Sequence, residues 1–104
     1  MNLIQLIGFT KNRTESRKFA ESQIPNVEFD QIDIYLKEKL DINSEIIFVD
    51  AEATDYMLET EINGEKYVNL FPLNMLQEMV EAQKSGTTDS EIAKNILEYR
   101  IKDA

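Results

Sequence analysis

The groups in this chain best able to do chemistry are carboxylates. Asp50, Glu52 and Asp55 follow the apolar run from Ile46 to Val49, with Thr54 among them. Carboxylates delivered at the end of a buried strand can hold a hard divalent cation. A calcium site would need about six to eight oxygens, and the D-x-[DN]-x-[DN]-G spacing that supplies them is missing. Composition closes the other routes. The chain has no His and no Cys, which removes the commonest general base, thiolate nucleophiles, disulfides and Cys-based zinc sites. Ser16, Ser22, Ser44, Ser85 and Ser90 lie in neither a G-x-S-x-G nor an S-x-x-K context, and no His is present to activate them. Gly8, Gly64 and Gly86 are isolated, so no glycine-rich loop can cradle a phosphate.

The segment IIFVDAEATD (residues 46–55) resembles the first motif of the DEDD-type exonucleases, over about six positions. The resemblance implies a metal-dependent phosphodiesterase, with Asp50 and Glu52 as the paired carboxylates. The chain departs from that pattern after the motif. Its only later aspartates are Asp55, Asp89 and Asp103, and a net charge of −9 would repel a polyanionic substrate. The sequence therefore predicts no catalytic residues, no metal site and no cofactor, with the phosphodiesterase as the remote alternative.

Charge is the most distinctive property of the sequence, and it is unevenly spread. Residues 1–25 carry Lys11, Arg13, Arg17 and Lys18 against Glu15 and Glu21. Residues 26–65 carry twelve carboxylates against Lys37 and Lys39, an excess of ten, and residues 66–104 are nearly balanced. Apolar residues are interleaved throughout the acidic block, so it belongs to a folded region and is not a tail. The four basic residues near the start could form a small patch, or simply the solvated face of a helix.

These groups need a scaffold, and 104 residues, 42% of them apolar, suffice for one domain spanning 1–104. The apolar runs are too short for a membrane span or a signal-peptide core, which places the expected location in the cytoplasm. Residues 3–9 (LIQLIGF) read as a buried strand. Asn12 and Glu15 open a helix over about residues 13–22, with a thin stripe of Phe19, Ala20 and Ile24, and Ile24-Pro25 closes it. Val27 and Phe29 alternate with charges as a half-buried strand does. Residues 31–40 fit either period; the reading adopted is a strand to about residue 34 and a helix afterwards. Residues 45–49 form a strand with nothing polar inside it, hence a central one. Asn63-Gly64 predicts a type I′ hairpin turn that sets Glu61 opposite Lys66 and Thr60 opposite Tyr67. Tyr56, Leu58, Ile62, Tyr67 and Phe71 are then assigned to the core. Pro72 starts a helix lined by Leu73, Leu76, Met79 and Val80, which Ser85-Gly86 stops. Thr88 and Glu91 cap another, lined by Ile92, Ala93, Ile96, Leu97 and Ile101. Met1, Met57, Met75 and Met79 are read as core filler.

The expected fold is α+β, or small α/β: a four- or five-stranded sheet including the Asn63-Gly64 hairpin, covered by helices, two of them C-terminal. This element order is similar to that of thioredoxins and glutaredoxins, with LIGFTKN (residues 6–12) standing at their first strand and active-site loop. No C-x-x-C pair is present, and no proline precedes the strand leading to Asn63, so the similarity bears on fold alone. The functional expectation is a non-enzymatic acidic binding protein that masks a basic partner, such as a nuclease toxin opposed by its immunity protein. The acidic face is assigned to Asp50, Glu52, Asp55, Glu59 and Glu61, with no binding to nucleic acid or membrane. The alternative is a housekeeping accessory domain, or a homodimer anchored through Tyr56, Tyr67 or Phe71.

Overall fold

A computed structural model describes residues 1–55 and 57–103. Tyr56, assigned to the core from sequence, lies outside the described residues. In chain order the elements are α1 (Leu3–Thr10), α2 (Arg13–Gln23), a 3₁₀ turn (Phe29–Gln31), β1 (Ile32–Lys37), β2 (Ile46–Asp50), β3 (Glu59–Ile62), β4 (Glu65–Pro72), α3 (Leu73–Glu81) and α4 (Asp89–Asp103). The strands form one antiparallel sheet in the order β2-β1-β4-β3. The fold is α+β, with two helices after the last strand.

The first element corrects the sequence reading. Residues 3–9 are helical, because Asn2 and Gln5 cap each other: the Gln5 N–H donates to Asn2 Oδ1 (3.0 Å) and the Asn2 N–H to Gln5 Oε1 (2.9 Å). Leu3, Leu6, Ile7 and Thr10 then fall on one buried stripe at helical spacing. With a helix first and every strand pair antiparallel, the thioredoxin-like order is not realised. Further on, α2 starts at Asn12, whose side chain accepts from the Thr14 and Glu15 N–H groups, and buries only Ser16 and Ala20.

Val27 and Phe29 form no strand; Phe29 opens the 3₁₀ turn that leads into β1. Ile32 to Leu36 are all buried, which explains the mixed period read from this stretch. Helices cover the side chains of Ile32, Ile34 and Leu36, while Tyr35 is buried from the other side. The helix expected after residue 34 is absent. Glu38 turns the chain at φ 68°, and the Asp41–Ser44 turn follows, with the Asn43 N–H donating to Asp41 Oδ1 (2.8 Å). β2 is also corrected, from centre to edge: among the described residues it pairs only with β1, and all but Ile46 is half-buried.

The hairpin is as the turn chemistry dictates. Asn63 (φ 53°) and Gly64 (φ 82°) both take positive φ, and Glu61 faces Lys66 while Thr60 faces Tyr67. The shared core face assigned to it is only partly realised. Tyr67 and Phe71 are buried, Ile62 is half-buried, and Leu58 is 66% exposed. Leu58 and Ile62 keep their regular register on the edge strand, on a face that is little covered there, while a register shift between Asp33↔Pro72 and Tyr35↔Asn69 inserts an extra residue into β4 and breaks its alternation. Leu70 and Phe71 both join the helix-side core in consequence. Arg100 of α4 donates through Nε to the carbonyls of Asn69 and Leu70 (3.2 Å each), satisfying backbone beside the bulge.

Helices α1, α3 and α4 pack Leu3, Leu6, Ile7, Leu73, Leu76, Val80, Ile92, Ala93, Ile96 and Leu97 against β1 and β4. The Glu91 N–H donates to Thr88 Oγ1 (3.2 Å), as the capping signal required, but Ile101 is 57% exposed and stands off the core. Ile96→Ala should therefore cost about 2–5 kcal/mol in urea unfolding. Ile101→Ala, on what the sequence treats as the same stripe, should stay within about 0.5 kcal/mol.

Candidate functional site

Tyr35 organises the site. Its side chain leaves β1 on the face away from the helices and is fully buried. Its hydroxyl donates to the Met57 carbonyl (2.5 Å) and lies 3.2 Å from the Thr54 hydroxyl, which in turn donates to the Ala51 carbonyl (3.2 Å). The connection from β2 to β3 is thereby held over the sheet as a chain of tight turns. Asp50 Oδ1 accepts from the Glu52 N–H (3.0 Å), the Ala53 N–H donates to the Asp50 carbonyl (3.0 Å), and Asp55 adopts φ 54°. Short polar side chains such as Asp are suited to both tasks.

The five predicted acidic residues fall on this connection and the strand after it. Asp50 is half-buried at the end of β2; Glu52, Asp55, Glu59 and Glu61 are exposed. Glu59 lies 3.5 Å from Lys66 Nζ, while Lys37 is occupied by Glu65 at 2.9 Å. No group of three acidic side chains among the described residues gathers as a metal site requires. The ligand set implied by the exonuclease resemblance is not assembled, and the Asp50 carboxylate instead fastens its own loop.

The basic patch suggested by Lys11, Arg13, Arg17 and Lys18 dissolves into separate contacts. Lys11 pairs with Asp89, tying the α1–α2 link to the start of α4. Arg13 grips Glu81 through Nε and one terminal nitrogen (2.8 and 2.6 Å), so each holds the other in its charged form. The Arg17 guanidinium lies 4.7 Å from the centroid of the Phe29 ring. Sequence reasoning missed what these arginines border, a cleft of about 780 Å³ between α2, residues 25–32 and α3. Asn74, Gln77 and Glu78 form its α3 side. Gln77 is 2% exposed; its Nε2 donates to the Thr10 carbonyl (2.6 Å) and its Oε1 has no partner among the described residues. The one signal for it in the sequence is a polar residue between Leu73, Leu76 and Val80 on an otherwise apolar stripe. Arg13 and Arg17 share the walls with Glu21, Glu28, Asp30 and Glu78, and among the described residues no nucleophile and base converge there.

Tyr67 and Phe71, named as anchors for self-association, are 8% and 6% exposed and offer little surface. Beside Tyr35 on the same face, Asp33 is buried at 6% exposure. Burial pushes its carboxyl above the usual carboxylate range, and a hydrogen bond from Asn69 offsets part of that rise. A raised folded-state pKa favours the protonated form. The stability it confers is present below the unfolded pKa, near pH 4, and is lost as pH rises through the folded value. Asp33→Asn should thus raise the thermal midpoint at pH 7, and the gain should shrink as pH falls through the folded value toward about 4 and be gone below it. Compared with known proteins, the chain matches no family model, no curated protein and no solved structure.

Proposed function

We propose that the protein is a non-enzymatic acidic binding protein that masks a basic partner in the cytoplasm, in the manner of an immunity protein opposing a nuclease toxin. The observation that carries this reading is the stretch from Asp50 to Glu61. It holds five carboxylates and no Lys or Arg, and four of the five are exposed. Met57 (55% exposed) and Leu58 (66% exposed) stand among them. Apolar side chains ringed by charge suit an interface, where the apolar groups supply binding energy and the rim supplies selectivity and steering.

The charge argument favours a basic protein. Nuclease clefts are positively charged because their substrates are polyanions. An acidic surface of this kind is drawn to such a cleft, associates quickly and obstructs it. With a radius of gyration of 12.9 Å, the molecule spans only a few Debye lengths at physiological salt, about 8 Å each, so neighbouring carboxylates of the stretch from Asp50 to Glu61 reinforce one another.

Affinity capture from cells followed by binding kinetics on the captured protein tests the reading. The association rate should fall about tenfold or more between roughly 50 and 500 mM salt. The double reversal Glu59→Lys with Glu61→Lys should slow association at low salt, with a smaller effect on dissociation. Recovery of the protein alone, as a dimer indifferent to salt and to the reversal, would overturn the reading. So would metal-dependent degradation of single-stranded DNA that Asp50→Ala abolishes with the fold intact.

A further inference from the structure

We propose that the basic partner binds by laying an extended segment along the outer edge of β3, as a fifth strand of the sheet. The proposal rests on the acidic-binder reading above and adds to it the mode of recognition and the chemistry of the segment recognised.

The backbone hydrogen bonds identify the edge. The Asn69 N–H donates to the Leu58 carbonyl (2.8 Å), so these two form a bonded pair of the antiparallel ladder. Bonded and non-bonded pairs alternate. Thr60↔Tyr67 and Ile62↔Glu65 are then the next bonded pairs, and Glu59 and Glu61 turn their N–H and C=O groups outward. Among the described residues nothing meets those groups.

The opposite edge of the sheet is different. On β2 the outward residues are Ile46, Phe48 and Asp50, by the same alternation from the Lys37 N–H bond to the Glu45 carbonyl (2.9 Å). There the Ile46 N–H donates to the Met1 carbonyl (2.8 Å), and the Asp50 carbonyl accepts from the Ala53 N–H (3.0 Å). Both ends of that edge are stoppered, which leaves the Ile46 carbonyl, the groups of Phe48 and the Asp50 N–H between the stoppers. An open edge is a template for strand addition, in which main-chain bonds give affinity and alternate side chains give selectivity.

The side chains of β3 select the occupant. Glu59 and Glu61 project from one face and Thr60 and Ile62 from the other, because strand side chains alternate. Among the described residues Lys66 is the one basic neighbour of the two carboxylates, which leaves them in excess. A second copy paired antiparallel on this edge would set Glu59 and Glu61 against the same two residues, and like charges across a strand pair are destabilising. A segment with Lys or Arg at every second position, and β-branched or apolar residues between, places its charges beside Glu59 and Glu61. Its other side chains then continue the surface of Thr60 and Ile62.

The test is a blocked peptide about ten residues long, alternating Lys with Val and Thr, titrated into isotope-labelled protein and followed by amide hydrogen exchange. Binding should slow exchange at the Glu59 and Glu61 amides about tenfold or more. Glu61→Gln removes one charge and should weaken binding about threefold. Glu61→Pro also removes the outward N–H, while leaving the native ladder whole, and should weaken binding about tenfold or more. If the peptide binds but both amides exchange as before, or if the proline variant binds as well as the glutamine variant, the two glutamates only guard the edge. The strand-addition proposal then falls and the acidic-binder reading stands. If no peptide binding is seen at about 50 mM salt, both fall.

Discussion

A central strand that is buried on both faces needs two covers, and β1 imposes this requirement on the rest of the molecule. The helices supply one cover, over Ile32, Ile34 and Leu36. The other has to come from the chain between β2 and β3, because Tyr35 brings a hydroxyl to that side and a buried hydroxyl must find a partner. It finds the Met57 carbonyl. The same contact that completes the core therefore fixes the position of Glu52 and Asp55, which ride on the outside of the cover. Core and acidic surface are two sides of one short segment.

How well the sequence could be read depended on whether the deciding contact was local. The Asn63-Gly64 turn sets its register from two backbone conformations, and Asn12 and Thr88 start their helices from their own side chains. All three were legible. Residues 3–9 were not, because a short apolar run has no period of its own that separates helix from strand. The deciding signal lay one residue upstream, in the pairing of Asn2 with Gln5. β1 was blurred for another reason: burial on both faces erases the alternation that marks a strand. Leu58 was misjudged because its face of the edge strand is left largely uncovered, whereas Phe71 is buried as assigned but on the helix side, since a bulge in β4 changes which side chains share a face.

The acidic residues were found by counting charge, which survives errors in element assignment, and all five lie between the end of β2 and the end of β3. The contacts of the basic ones were not legible, because their partners are distant in sequence. Glu81 and Asp89 neutralise Arg13 and Lys11 only once α3 and α4 have docked. Exposed pairs of this kind add little stability. Their effect here is on the field: they bind up much of the positive charge of the first two helices and leave the middle of the chain unopposed. The cleft beside Arg17 escaped notice for the same reason, as its walls come from α2, residues 25–32 and α3.

The packing of α1 against α4 joins the first helix to the last. A ribosome delivers α1 first, and its stripe of Leu3, Leu6 and Ile7 then has no permanent cover until α4 has emerged. The hairpin can form meanwhile, because its two strands are neighbours in sequence and closing so short a loop takes about microseconds. The helical layer cannot, and contacts this far apart along the chain fold late. Between the emergence of α1 and that of α4, the nascent chain thus carries an apolar helix that the finished fold keeps from water.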